Sequence, residues 1–446
     1  MKGDANFYSK RAYDNLTHEK FKAAIADATT AIKIDPKNAV SYTTRGIAYT
    51  ELEQFNLALQ DFDEAIAIHP NFNWPYLNRG KLYIKTEDYR LAIKDFSKVI
   101  QLKPKAPYGY FFRAETYRFL ENFESAIKDY SKIIQFDPDS PKAYERRSSC
   151  YARIGEYKLA IQDLDKVIDL LPNIFEPHIN RGNCYAKLKQ FDRALENLNT
   201  AIEMNPNFVA SYVIRGTIYG DLEQYDSAIQ DYTKAIELDP NHVNAYNSRG
   251  RLYNIMGQYE LAIQDYSKSI ELEPNDVEIY YNRGCAYDEL EQRERAIEDY
   301  DKAIELAPNE ACAYNNRSWD YYLLRNYDAA LADVNKAIEL DPTDGAIYDT
   351  RACVYLALGR ISETLADFDK AIELDPNQFH TYNIRGCVYL DLGRPVEALA
   401  DFNKAIELAP DNANAHHNRG RCFRALGDEE KAREDFVTAI ELGYED

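Results

Sequence analysis

Arginine and aspartate recur along the chain at a spacing that suits either ion pairing or the binding of acidic ligands. Arginine appears every 34 residues, and aspartate follows sixteen residues later in every case but one, where the residue is Asn197. Guanidinium groups bind carboxylates through two parallel hydrogen bonds, so the arginines could form a ladder for acidic groups. Alternatively the pairs are structural, because an unpaired charge at a packed position is costly. We favour structural pairs that fix the register of the fold, such as Arg215 with Asp231, Arg249 with Asp265 and Arg283 with Asp299.

Residue types that support catalysis or metal binding are present without the spacing that such chemistry needs. The seven cysteines include no CxxC pair, and the seven histidines are scattered. A GxxxxGK phosphate loop, an HExxH metal motif and a GxSxG nucleophile motif are all missing from the sequence. We therefore predict that the chain is not an enzyme, and that it has no catalytic residue, no metal site and no cofactor.

A ladder of prolines marks out the elements that must position these residues. Twelve prolines, from Pro36 to Pro410, stand 34 residues apart, and thirteen such units fill the chain from residue 5 onward. Periods of this length are typical of stacked repeats, so we predict one domain over residues 1–446. Its predicted repeats are 5–38, 39–72, 73–106, 107–140, 141–174, 175–208, 209–242, 243–276, 277–310, 311–344, 345–378, 379–412 and 413–446.

The hydrophobic pattern within each unit predicts two helices. In the seventh unit, small Gly216 and Ala228 let the two helices approach closely, and the rings of Tyr219 and Tyr232 fill the space beside them. Pro240 then ends the second helix, since proline cannot continue the ladder of backbone hydrogen bonds. The pattern therefore indicates a helix-turn-helix hairpin.

These residues resemble the motif of the tetratricopeptide repeat, and the resemblance covers nearly the whole chain. It implies an all-α fold, a right-handed α-solenoid superhelix of helix-turn-helix units. It also implies that the first helix of each unit lines the concave face. Positions 2, 5, 9 and 12, counted from the first residue of each repeat, are then exposed along an inner stripe. The motif residues of the seventh unit are Tyr212, Gly216, Tyr219, Ala228, Tyr232, Ala235 and Pro240.

Aromatic residues on that stripe are the candidates for partner binding. Tryptophan and tyrosine are common anchors at interfaces because they bury a large area at little cost in conformational entropy. Packing of these rings on one another within the superhelix is the alternative. The candidates are Trp74, Leu77, Tyr108 and Phe111 in the third and fourth units, and Tyr281, Trp319 and Tyr322 in the ninth and tenth.

Asparagines at position 6 resemble the ladder by which some superhelical arrays of this family hold an extended peptide. A side-chain amide can donate to a backbone carbonyl and accept from a backbone N–H. Other residue types interrupt this ladder in eight of the thirteen units, and solvated amides are the alternative. Its members are Asn78, Asn180, Asn282, Asn316 and Asn418.

The charge distribution bears on what kind of partner the chain can bind. The formal net charge is −21; residues 1–138 carry 20 basic and 18 acidic residues, and residues 139–446 carry 33 basic and 56 acidic residues. Such an acidic region repels nucleic acid and anionic membranes. We therefore predict a protein or peptide partner, with basic character favoured for residues 139–446, and neither nucleic acid nor membrane as a partner.

Together these features predict a non-enzymatic scaffold or adaptor that holds a partner segment along the concave groove. Two alternatives stay open: self-assembly into a homo-oligomer through the ends of the solenoid, and service as the regulatory or substrate-selecting arm of a larger enzyme. The first residues lack the apolar core of a signal peptide, and no apolar run approaches about 20 residues. We therefore expect a cytoplasmic protein.

Overall fold

The computed structural model describes residues 2–444, and every regular element in that range is an α-helix. The chain divides into two compact units, Met1–Leu222 and Glu223–Asp446. The first unit contains α1 (Lys2–Thr17), α2 (Phe21–Ile34), α3 (Ala39–Glu51), α4 (Phe55–Ile68), α5 (Asn73–Lys85), α6 (Tyr89–Leu102), α7 (Pro107–Phe119), α8 (Phe123–Phe136), α9 (Pro141–Arg153), α10 (Tyr157–Leu170), α11 (Glu176–Lys187), α12 (Phe191–Met204) and α13 (Val209–Asp221). The second contains α14 (Tyr225–Leu238), α15 (Val243–Ile255), α16 (Tyr259–Leu272), α17 (Val277–Glu289), α18 (Arg293–Leu306), α19 (Ala311–Leu323), α20 (Tyr327–Leu340), α21 (Gly345–Ala357), α22 (Ile361–Leu374), α23 (Phe379–Asp391), α24 (Pro395–Leu408), α25 (Ala413–Ala425) and α26 (Glu429–Glu441).

Within each unit the helices pack in chain order, which makes each unit an all-α solenoid. Helix α17 packs on α18, α18 packs on α19, and α17 also reaches α15. The same alternation runs through the other repeats of each unit. Each helix therefore buries its apolar face against its neighbours in the chain. That the thirteen repeats act as one solenoid stays a prediction.

The core of most repeats pairs a small residue on the first helix with a ring on the second. Gly284 faces the fully buried ring of Tyr300, and a Cβ at Gly284 would lie 2.7 Å from Tyr300 Cε1. Ala296 and Ala303 flank Tyr300 on α18, and both are fully buried. This size complementarity holds the two helices of a repeat close together.

The turn between the two helices of a repeat contains a residue with left-handed backbone geometry. Gly257 has φ of 69°, and the equivalent residue of the ninth repeat, Glu291, has φ of 57°. A side chain at such an angle strains the backbone because its Cβ approaches the neighbouring carbonyl oxygen. Several repeats therefore contain a strained backbone residue in this turn, and glycine at the same position avoids the strain.

We expect Glu291→Gly to raise the free energy of unfolding by about 0.5–1 kcal/mol, since glycine relieves the strain and only part of the gain is lost to the freer unfolded chain. The control Gly257→Ala introduces the same strain and should lower that free energy by about the same amount. Urea unfolding followed by circular dichroism measures both. A lower midpoint for Glu291→Gly would contradict this account.

The recurring arginine and aspartate form ion pairs across the two helices of a repeat. Arg283 donates from Nε to Asp299 Oδ2 at 2.8 Å and from Nη2 to Oδ1 at 2.7 Å, and Arg249 binds Asp265 in the same way, at 2.8 Å for both bonds. The aspartates are 4–5% exposed. Arg283 also lies over the rings of two tyrosines at 5.9 Å.

Arg215 and Asp231 belong to different compact units. Arg215 donates to Asn199 Oδ1 at 2.6 Å and lies over the rings of Tyr212 and Tyr219. Asp231 is 5% exposed.

A third contact of each arginine after the first ties neighbouring repeats together, and sequence reasoning did not identify it. Arg283 donates from Nη1 to Ser267 Oγ at 3.0 Å, and Ser267 lies on the second helix of the preceding repeat. Arg249 contacts Thr233 in the same way at 2.9 Å. The signal was present, because position 25 is serine, threonine, asparagine or aspartate in each of the first twelve repeats. The arginine therefore joins three helices rather than two.

Candidate functional site

The first helices of successive repeats lie close to one another, and this defines an inner side within each unit. Helix α3 reaches α5, and α19 reaches α21. Side chains at positions 2, 5, 9 and 12 lie along these helices. The aromatic and aliphatic candidates fall into two groups there. We call them the first inner patch (Trp74, Leu77, Tyr108, Phe111) and the second inner patch (Tyr281, Trp319 and Tyr322, together with Asn316 at position 6).

In the first inner patch the aromatic rings pack against other parts of the same unit. The Trp74 ring meets Tyr13 edge-on at 5.7 Å, and Tyr108 Oη accepts a hydrogen bond from Asn73 Nδ2 at 2.9 Å. Phe111 meets Tyr130 edge-on at 6.4 Å. These patch residues, and Leu77 with them, are half-buried. Their rings therefore serve packing as well as presenting surface.

Basic groups lie beside the first inner patch. Lys142 Nζ lies 4.9 Å from the centre of the Phe111 ring, and Lys81 Nζ lies 4.5 Å from that of Phe112. Burial lowers the pKa of Lys81. Cations over aromatic rings are stabilised by the negative face of the ring. This patch therefore carries positive charge next to apolar surface.

The second inner patch presents an exposed indole. Trp319 stacks on Tyr322 with ring centres 5.0 Å apart, yet 40% of Trp319 is exposed. Tyr281 is half-buried, and its hydroxyl accepts a hydrogen bond from Asn316 Nδ2 at 3.2 Å. The stack holds the indole in place and leaves much of it open to solvent.

Most of the position-6 asparagines bind neighbouring groups of the chain. Asn78 Nδ2 donates to the Trp74 carbonyl at 2.8 Å, and Asn418 Nδ2 donates to Asn383 Oδ1 at 3.1 Å. Asn282 is half-buried. Asn180 is exposed and lines two adjoining cavities of about 340 and 400 Å³. The position-6 asparagines therefore do not form a continuous row of free side-chain amides.

A buried carboxyl group, Asp320, lies with the half-buried Asp288 behind the second inner patch, and sequence reasoning missed this pair. Asp320 is fully buried and lies 3.7 Å from Arg293 Nη1. Tyr300 Oη donates to Asp288 Oδ2 at 2.5 Å. Burial, followed by the hydrogen bond and charge of Asp288, raises the pKa of Asp320 to about 8. Asp320 is therefore largely protonated at neutral pH and can donate a hydrogen bond to Asp288.

Comparison between repeats explains how this acid is tolerated. Between the second and third repeats, Phe55 at position 17 packs in the cluster that contains buried Leu82 at position 10. Between the ninth and tenth repeats, arginine and aspartate occupy these two positions, as Arg293 and Asp320. The paired change replaces an apolar contact with a charged one. The joint change to arginine at position 17 and aspartate at position 10 is the feature of the sequence that could have indicated a buried acid.

Within residues 2–444, no group of three or more histidine, cysteine, aspartate or glutamate side chains could hold a metal ion. None of the helices described is long and apolar enough to cross a membrane. The two inner patches combine aromatic rings and an amide, with lysines beside the first of them.

Family models match the chain along most of its length. Those described as tetratricopeptide repeat match residues 75–105, 113–173, 175–208, 209–242, 231–264, 277–310, 311–344, 346–378, 381–412 and 402–434, and one described as TPR repeat matches 250–291. No curated protein matches the sequence.

Several solved structures are similar in part. A tetratricopeptide repeat protein from Parabacteroides merdae is 23% identical, with 53% of this chain and 93% of that chain covered and a TM-score of 0.47. YrrB, described as a TPR protein with an unusual peptide-binding site, is 23% identical over 43% of this chain and 98% of its own, with a TM-score of 0.39. The Cut9–Hcn1 hetero-tetramer of the APC/C is 14% identical over 98% of this chain and 93% of that chain, with a TM-score of 0.48.

Proposed function

Since the chain belongs to the tetratricopeptide repeat family, we propose that it is a non-enzymatic scaffold that binds a segment of a partner protein along the inner side of its first helices. The observation that carries this proposal is the exposed indole of Trp319, held in place by Tyr322 at 5.0 Å. A large ring that is rigid and still exposed is typical of an interface anchor, because little conformational freedom is lost when it is covered.

The charge of residues 139–446 favours a basic partner segment. Residues 139–446 carry 33 basic against 56 acidic residues. Complementary charge speeds encounter and disfavours wrong partners more than it adds affinity. Recognition in the second inner patch would then combine aromatic contact with a basic sequence.

The first inner patch contributes differently under this proposal. Trp74 and Phe111 pack on Tyr13 and Tyr130, so replacing either ring would disturb the fold as well as the surface. Trp319 is the better probe, because its contact is with a neighbour on the same helix.

We also propose a cytoplasmic location. All seven cysteines are free, and four of them are buried. Free thiols suit a reducing compartment, where disulfides do not persist. Expression of the tagged chain in the source cells, followed by fractionation, tests this; recovery in an exported fraction would contradict it.

We expect Trp319→Ala to weaken capture of the partner by about tenfold or more, as for a central aromatic anchor. The control is Val396→Ala, which removes a side chain that is 68% exposed on the second helix of its repeat. The measurement is affinity purification from the source cells with isotope-labelled quantification of proteins recovered by wild type and both variants. Equal recovery by wild type and Trp319→Ala would show that the second inner patch does not bind the partner.

A further inference from the structure

A cavity of about 310 Å³ lies at the start of the first helices of the ninth and tenth repeats, beside the second inner patch. Val277, Tyr281, Ala303 and Ala313 give it apolar walls. Glu278, Glu310 and Cys312 complete the lining, and the two glutamates are exposed. The cavity therefore has an apolar interior and acidic groups without a basic residue among them.

Glu310 occupies the residue before α19, where a side chain usually bonds the free N–H groups of the helix. The equivalent residues of the flanking repeats do so: Asp276 accepts from Glu278 N at 2.9 Å, and Asp344 accepts from Ala346 N at 2.9 Å. Glu310 makes no such bond and lines the cavity instead. In the part of the chain that the structure describes, neither Glu310 nor Glu278 pairs with a cation. Two carboxylates are thus left free at one opening.

The aligned cavity of the first unit differs in charge from the cavity of the ninth and tenth repeats. It lies between the fifth and sixth repeats and measures about 340 Å³. There Lys142 occupies the position of Glu278, and Ile174 that of Glu310. Lys142 offsets charge in the first cavity, whereas nothing in the lining offsets it in the second. The acidic surroundings extend further, because burial and then Asp344 and Glu310 raise the pKa of the Cys312 thiol.

We propose that the cavity of the ninth and tenth repeats receives a lysine or arginine side chain from the partner segment. The alkyl part lies against Val277 and the Tyr281 ring, and the charged head lies between Glu278 and Glu310. Long basic side chains bury their methylene groups on apolar surface while the head pairs with carboxylates or with an aromatic face. This inference rests on the proposed function and names the residue type that the partner must supply.

The test uses a random dodecapeptide library displayed on phage and selected on the immobilised full-length chain. Parallel selections use Glu278→Gln/Glu310→Gln and the matched control Glu145→Gln/Glu176→Gln, which neutralises both acids of the aligned cavity in the first unit. We expect lysine or arginine at one fixed position of the peptides selected by wild type and control, and its loss with Glu278→Gln/Glu310→Gln. The four replaced side chains are exposed, so unchanged urea midpoints will show that the variants are folded.

The peptide selected most strongly is then synthesised and its Kd measured by calorimetry. We expect the Kd to rise roughly tenfold for Glu278→Gln/Glu310→Gln, and by a similar factor when norleucine replaces the fixed basic residue, because a charge-assisted bond is lost in either case. Selected peptides that bind equally to this variant, or that carry an apolar residue at the fixed position, would overturn the cavity proposal. If such peptides still lose binding with Trp319→Ala, the proposed function stands without it; a library that yields no binding peptide would overturn both.

Discussion

Replacing Arg283 with leucine is expected to lower the free energy of unfolding by about 3–5 kcal/mol, the usual cost of leaving one partner of a buried ion pair alone. Asp299 is 4% exposed and accepts two hydrogen bonds from Arg283, so the substitution strands a carboxylate away from water. The link to Ser267 of the preceding repeat is lost with it. The loss therefore weakens both the repeat and its junction.

The matched control is Arg295→Leu on the neighbouring helix α18. Arg295 is exposed and donates to Gln292 at 2.9 Å, so its removal should change stability by less than about 0.5 kcal/mol. Urea unfolding gives the comparison, and hydrogen exchange shows whether α16 to α18 open first, since repeats can unfold locally. A cost for Arg283→Leu no greater than that for Arg295→Leu would show that the ion pair adds nothing to stability.

A second variant separates stability from register. Arg283→Met/Asp299→Leu replaces the ion pair with apolar groups, which often restores stability because desolvation offsets much of the attraction. We expect this double variant to recover most of the free energy of unfolding that Arg283→Leu loses. If this double variant is stable but its backbone amides near the ninth repeat exchange hydrogen faster than in the wild type, the ion pair fixes the packing register of the helices. If the double variant is as unstable as Arg283→Leu, the charges themselves are required for stability.

Asp320→Asn should stabilise the protein, and more so as the pH rises. In the unfolded chain the carboxyl titrates near 3.8, whereas in the folded protein its pKa is about 8. Between these values the folded protein holds a proton that the unfolded chain has released, so the stability of the wild type falls as the pH rises through this window. Asparagine has no such titration and keeps a donor for Asp288.

The gain should appear from about pH 4 and level off above about pH 8. Each pKa unit corresponds to about 1.4 kcal/mol, and rearrangement around a buried charge reduces the full value, so we expect about 2–4 kcal/mol at pH 8. The groups facing Asp320 are Asp288 of α17 and Arg293 of α18, and Tyr300 bonds Asp288. Arg293 lowers the pKa of Asp320 but does not cancel the effect of burial.

Urea midpoints at pH 5, 7 and 9 for wild type and Asp320→Asn measure this dependence. Asp328→Asn is the control, because it removes an exposed carboxylate on α20. Parallel pH profiles for wild type and Asp320→Asn would mean that Asp320 titrates as an ordinary carboxyl. We expect the urea midpoints of the wild type and Asp320→Asn to converge as the pH is lowered.

The 34-residue period of the sequence was enough to predict the helices of this protein and their arrangement in hairpins. Prolines 34 residues apart place the end of the second helix in the first twelve repeats, and the alternation of small and large residues predicts the hairpin. Contacts within a repeat join residues at a constant separation, so the sixteen residues between Arg283 and Asp299 were enough to anticipate a pair. That the aromatic candidates bind a partner stays a prediction.

Contacts between repeats depended on the tertiary structure, because they are set by the direction in which each side chain leaves its helix. The bond from Arg283 to Ser267, the approach of Trp74 to Tyr13 and the burial of Asp320 are all of this kind. Glu310 shows the limit most clearly: its position predicts a helix cap, yet its carboxylate lines a cavity. The sequence by itself determined the repeating hairpin, since local spacing controls helix formation and pairing. Only the tertiary structure decided which charges are buried, paired or left open, since that depends on neighbours a whole repeat away.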